Sequence, residues 1–162
     1  IAAVEKINSE VGEIVCTLDT YGLIDKGYKE RFSEVMSTVA PCVQYKGIVP
    51  FDKSVEAIKD YAALLFPTTW DGEGFPGTIV DAYSAGLPVI ATDWNSNPEI
   101  IAEGKTGFIY PHEDKDGLAL SMKKFMGYDA SARIAMKKNC LTVAKEYVPQ
   151  KWIGIIKKQM EK

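Results

Sequence analysis

The chain has 162 residues, 46% of them hydrophobic and 25% charged, with a net charge of −3. That is the profile of a globular protein long enough to bury a real core. No Lys/Arg run is present, so nucleic acid is not expected as a partner. No apolar run approaches the roughly 20 residues that span a bilayer as a helix.

Three cysteines, Cys16, Cys42 and Cys140, are scattered without a C-x-x-C spacing. They are read as buried thiols of a reducing compartment, which points to the cytoplasm. The single histidine, His112, rules out a histidine-based triad or a two-histidine metal site within these residues. It is expected on a surface turn, and no metal is expected.

In chain order, Ile1 to Glu13 read as helix already under way at its first residue, which suggests a piece of a longer protein. Residues 13–22 read as a buried strand closed by Gly22. Residues 25–39 carry Tyr28, Phe32, Val35, Met36 and Val39 at helical spacing. Residues 42–49 read as a second strand. Residues 51–61 form a short amphipathic helix with Asp52 as its N-cap. Residues 62–67 are continuously apolar, as in a strand of a parallel sheet covered on both faces. A loop and a helix starting near Pro76–Thr78 and ending at Gly86 follow. Residues 88–93 are a strand, 97–104 a short helix closed by Gly104, and 106–110 a last short strand. Residues 116–126, 130–147 and 149–162 are helical, with Pro149 dividing the last two. The final helix sets Trp152, Ile155, Ile156 and Gln159 along one side.

This alternation predicts a doubly wound, Rossmann-like α/β domain: a parallel sheet with helices on both faces and a helical C-terminus. Such sheets bind ligands beyond the carboxyl ends of their strands. Two loops leave such ends, residues 68–77 and 93–98.

The first of these contains Gly72-Glu73-Gly74-Phe75-Pro76-Gly77, literally G-x-G-x-x-G, with Asp93 ending the next strand. Three features argue against a dinucleotide fingerprint. Five residues, Pro67 to Asp71, separate the strand from Gly72, where the fingerprint needs an immediate turn. Pro76 suits the first turn of a helix, which the fingerprint would already have begun. The motif also lies about 70 residues into the chain instead of opening the domain. Asp93, at the place of a ribose-reading acid, is the one feature in its favour.

The loop remains an anion site. Amides around Gly74, Phe75, Gly77 and Thr78 stand at a helix N-terminus, where free N–H groups and the helix dipole favour phosphate. Thr78 adds a hydroxyl, and glycines at 74 and 77 permit close approach. Two carboxylates flank the loop. Asp81 lies one helical turn beyond Gly77, within reach of a ribose, and Glu73 faces the other end of such a ligand. The plain alternatives are a dipole partner for Glu73 and a solvated helix residue for Asp81.

The stretch from Glu73 to Pro111 resembles the signature region of retaining glycosyltransferases of the GT-B fold, family 4 or group 1 type. It has the Glu, the Gly-Phe-Pro and a second acid eight residues after the first. The segments "GLPVIATD", "NPEII" and "GKTG" then follow in order. "TYG" after the first strand and "YKGIV" after the second also match.

The resemblance implies the carboxy-terminal, nucleotide-sugar-binding domain. On it, Glu73 orients the donor sugar without acting as a nucleophile. Gly74, Phe75, Pro76 and Gly77 lend backbone to sugar and phosphate. Thr78 meets the phosphates, and Asp81, where the family more often has Glu, holds the ribose. Gly47 and Ile48 lie by the base. The donor is expected to be UDP- or GDP-linked, with no other cofactor. The last helix would cross onto an amino-terminal, acceptor-binding domain outside these residues, and any peripheral membrane contact would belong to that domain. The family's first strand of this domain, with its cationic loop, is also outside them; it would pair between the strands near residues 14 and 63. The whole enzyme would build glycans or polysaccharides. Two other readings stay open: an NAD(P)-binding domain of an oxidoreductase, and a non-catalytic interaction module using Trp70, Trp94 and the last helix.

Overall fold

The computed structural model describes residues 1–160; Glu161 and Lys162, the end of the expected last helix, lie outside the described residues. The chain divides into two compact units, Ile1–Ser54 and Val55–Lys162.

The first unit opens with α1 (Ala2–Val11), which buries Val4 and Ile7 and stops at Gly12 in the left-handed region, φ +83°. Asn8 on α1 holds the segment that follows. Its Oδ1 accepts from the amides of Val15 and Cys16, each at 3.0 Å, and its Nδ2 donates to the Cys16 carbonyl at 2.8 Å. Backbone groups expected to join a ladder are therefore engaged by a side chain. The expected strand over 13–22 shrinks to β1 (Leu18–Thr20), and Ile14 and Val15 stay exposed.

A 3₁₀ turn capped by Asp25 leads into α2 (Lys29–Thr38). Next comes β2 (Val43–Tyr45), parallel to β1 with Leu18 opposite Val43. Phe32 of α2 meets Tyr45 of β2 edge to face at 5.0 Å. Asp52 lies inside a 3₁₀ turn (Phe51–Lys53) instead of capping a helix, and only α3 (Ser54–Ile58) of the expected longer helix forms.

The second unit is built on three parallel strands, β3 (Leu64–Phe66), β4 (Val89–Thr92) and β5 (Gly107–Tyr110), in the order β3-β4-β5. β4 has a strand on each side and every residue of it is buried, whereas β3 ends its sheet and is only partly covered along its length. The continuous apolarity of residues 62–67 overstated that burial. β1 and β3 stand in separate sheets. Gly107 has no substitute: a Cβ there would sit 1.9 Å from the Val89 carbonyl oxygen.

The crossover from β3 to β4 carries α4 (Gly77–Ser84), and that from β4 to β5 carries α5 (Asn97–Ile100). α6 (Gly117–Met126), α7 (Ala130–Ala144) and α8 (Pro149–Met160) follow. Trp152 is thus inside the last helix, which begins at Pro149, and α8 buries none of its residues. The core joins Ile79, Ala82 and Tyr83 of α4 to Val89 and Ala91 of β4 and to Cys140 of α7. Burial pushes the Tyr83 hydroxyl far above its usual value and the Cys140 thiol up to about 12. No helix among the described residues is long and apolar enough to cross a membrane.

Candidate anion-binding site

α4 presents two faces. Ile79, Ala82 and Tyr83 point into the core, so Gly77, Thr78, Asp81 and Ser84 fall on the opposite side at i, i+3 and i+4 spacing. The buried Pro76 is the N-cap, one place before its expected first helical position; its carbonyl accepts the Ile79 amide at 3.0 Å. The amides of Gly74, Phe75, Gly77 and Thr78 have no acceptor among the described residues. Those of Gly77 and Thr78 are unpaired donors that a helix start leaves over, those of Gly74 and Phe75 belong to the loop just before the cap, and all four residues are exposed.

Glu73 lies just before these amides and Asp81 just after, each half-buried. Neither carboxylate has a hydrogen-bond or ion-pair partner among the described residues. The dipole reading of Glu73 therefore lacks the backbone contact that would support it. Gly74 and Gly77 are informative in the same way. Neither has a positive φ, and a Cβ at either would meet nothing within 4 Å. The protein's own packing does not require glycine there. Gly72 differs: a Cβ on it would strike the Trp70 ring at 2.5 Å. The first glycine of the apparent fingerprint thus accommodates Trp70.

Phe75 is 55% exposed and its ring leans on Tyr147 at 5.3 Å. Gly47 and Ile48 belong to the first unit and follow β2. Gly47 is left-handed, φ +85°, with its carbonyl accepting the Gly22 amide at 3.0 Å, and Ile48 is 64% exposed. The structure brings Glu73, Gly74, Phe75, Pro76, Gly77, Thr78 and Asp81 together on one loop and helix of the second unit.

Asp93 is committed elsewhere. Its Oδ1 accepts the His112 amide at 2.8 Å and lies 2.8 Å from His112 Nδ1, which holds the carboxyl below its ordinary value. The histidine expected on a simple surface turn is therefore a structural partner, and Trp94 packs edge-on against its ring at 4.9 Å.

The sequence marks the 93–98 loop as leaving a strand end, but not what the side chains of residues 92–96 hold. Thr92 Oγ1 donates to the Thr68 carbonyl at 2.5 Å, Trp94 Nε1 to that of Trp70 at 3.0 Å, and Asn95 Nδ2 to that of Glu73 at 2.8 Å. Ser96 Oγ donates to the Gly74 carbonyl. The only available signal was a run of polar donors directly after a strand. Among the described residues no cluster of His, Cys, Asp and Glu could hold a metal ion.

Comparison with known proteins agrees with this architecture. The model for glycosyl transferases group 1 matches residues 1–127. The amylovoran biosynthesis glycosyltransferase AmsK of Erwinia amylovora is 26% identical over 123 residues, 74% of this chain and 30% of that protein. The chain spans between 8% and 34% of the length of the curated relatives set beside it. Among solved structures, the C-terminal domain of LpcC, a group 1 glycosyl transferase family protein from Francisella tularensis, superposes with a TM-score of 0.71 at 15% identity. That match covers 90% of this chain and 75% of the other. The pneumococcal O-GlcNAc transferase GtfA, solved in complex with UDP and GlcNAc, gives a TM-score of 0.70 at 23% identity, covering 98% of this chain and 31% of that one. These likenesses share the α/β fold, and the family match extends over most of the chain: it belongs to the group 1 glycosyltransferases.

Proposed function

We propose that residues 1–162 form the nucleotide-sugar donor domain of a longer glycosyltransferase, whose acceptor-binding domain and first donor-domain strand lie outside them. The intact enzyme would transfer a hexose from a UDP- or GDP-linked donor, keeping the anomeric configuration, in glycan or polysaccharide assembly. It would work where nucleotide sugars are made, in the cytoplasm. The likeness to a separately solved C-terminal domain supports the division of the chain.

One observation carries this reading: four acceptor-free amides, two in the loop before α4 and two in its first turn, lie between two carboxylates with no partner. The amides and helix dipole would bind the diphosphate and stabilise it as it leaves. Thr78 adds a hydroxyl donor to it. Asp81, on the same helix face, would accept from the ribose hydroxyls. Glu73 would orient the sugar, with Gly74, Phe75, Pro76 and Gly77 supplying backbone. Gly47 and Ile48 would lie by the base.

Calorimetric titration with UDP and GDP tests the reading. One nucleotide is expected to bind, and Asp81→Ala to weaken it about tenfold, or ~1.4 kcal/mol. Failure of both nucleotides to bind overturns the donor-site reading. Unchanged affinity in Asp81→Ala removes the ribose from Asp81. The domain alone is expected to bind donor without transferring sugar.

A further inference from the structure

Each of the six residues from Thr92 to Asn97 has its side chain in a hydrogen bond to backbone. Thr92, Trp94, Asn95 and Ser96 reach the carbonyls of Thr68, Trp70, Glu73 and Gly74. Asp93 accepts the His112 amide, and Asn97 Nδ2 turns back to the Thr92 carbonyl at 3.1 Å. Asn95 makes its contact from the left-handed region, φ +46°, the only such non-glycine residue among those described. That conformation is held at a cost.

We propose that this segment is a positioning clamp for the anion site: Asn95 and Ser96 set the direction of the amides that follow Glu73 and Gly74. The inference rests on the donor-site reading. A peptide unit is planar, so fixing a carbonyl fixes the N–H of the next residue. The Glu73 carbonyl bound by Asn95 sets the Gly74 amide, and the Gly74 carbonyl bound by Ser96 sets the Phe75 amide. Both amides belong to the unpaired set. Without the clamp, a loop containing Gly72, Gly74 and Gly77 would sample many peptide orientations, and the ligand would bear the cost of ordering it. The root of the clamp is rigid, because Thr92 ends the buried central strand and Asp93 is tied to His112.

Asn95→Gly and Ser96→Ala test this in the whole chain. Glycine keeps the left-handed backbone without strain and removes only the amide donor; alanine removes only the hydroxyl. UDP, or GDP if that is the nucleotide bound, should bind five- to tenfold more weakly to each, with melting temperature unchanged and Ser96→Thr close to wild type. Backbone N–H order parameters from NMR relaxation of the unliganded variants should fall at residues 74, 75, 77 and 78 and nowhere else. Wild-type affinity in both variants overturns the clamp, as does an equal loss in Ser96→Thr. If the unaltered chain binds neither nucleotide, the donor-site reading has failed on its own account. The order parameters then decide the clamp: a fall at residues 74, 75, 77 and 78 in the variants upholds it, and unchanged values overturn it.

Discussion

Gly77 is the first residue of a helix, with a backbone that alanine can adopt, and such a replacement ordinarily stabilises by about 0.4–1 kcal/mol through the unfolded chain. No positive φ and no neighbouring atom requires glycine there. The residue makes sense if something outside the protein must approach its backbone. Gly77→Ala is therefore expected to melt at the same temperature or slightly higher while losing most of its nucleotide affinity. A Gly77→Ala protein that binds nucleotide as well as the wild type would show that the glycine serves no ligand. The neighbouring motif residues were legible in the sequence because glycine, proline and the flanking acids mark a helix start locally. The opposite use of Gly72, which accommodates the Trp70 ring, was not legible, because it depends on where one side chain folds back.

At the scale of elements, α4 is fastened to the strand side of the unit by one buried relay. The Tyr83 hydroxyl donates to the Ile100 carbonyl at 3.2 Å. Having given its only proton there, it accepts from Thr106 Oγ1, 2.8 Å away. That oxygen in turn accepts the Ala102 amide at 2.9 Å. Tyr83→Phe leaves the Ile100 carbonyl and the Thr106 hydroxyl short of a partner in a dry core. A loss of about 1–3 kcal/mol in denaturant unfolding is expected. A loss under about 0.5 kcal/mol would mean that the relay re-forms without the tyrosine.

The helices were readable because apolar spacing is a local signal, but their caps were not: Asp52, expected as one, lies inside a 3₁₀ turn, while Asp25 and Asp129 cap instead. The strands came out shorter than their apolar runs. Residues 13–17 show why: Asn8 occupies their backbone groups, and no periodicity reports a side chain reaching back from the preceding helix. The contacts of Trp94, Asn95 and Ser96 escaped for a similar reason, since they join segments about 22 residues apart.

At the scale of the molecule, the second unit gathers groups that resist ionisation while it is folded. Cys140 is wholly buried, and burial moves its thiol from 9.0 to about 12. Burial also moves Tyr110 from 10.0 to about 12 and Tyr83 higher still. The sign follows from which state gives up protons first. Each group has a higher value folded than unfolded, so the unfolded chain ionises first as pH rises. The stabilisation is complete below about pH 9 and is lost progressively up to about pH 12. Every tenfold difference in acidity between the two states corresponds to about 1.4 kcal/mol, and solvent screening at the less enclosed Tyr110 trims its share. By about pH 11 the three groups together remove a few kcal/mol, a large part of a domain's usual stability. Denaturant unfolding at pH 8, 9, 10 and 11 should show a flat region followed by a steep fall. Cys140→Ala, less stable at pH 8 through its lost packing, should hold its own plateau nearer to pH 10, where tyrosine ionisation takes over. Hydrogen exchange should place the loss due to these three groups in residues 55–160, the unit that holds them, while Cys16, which burial also raises, acts in the first unit. Stability unchanged through pH 11 would mean that these hydroxyls and the thiol reach water without global unfolding.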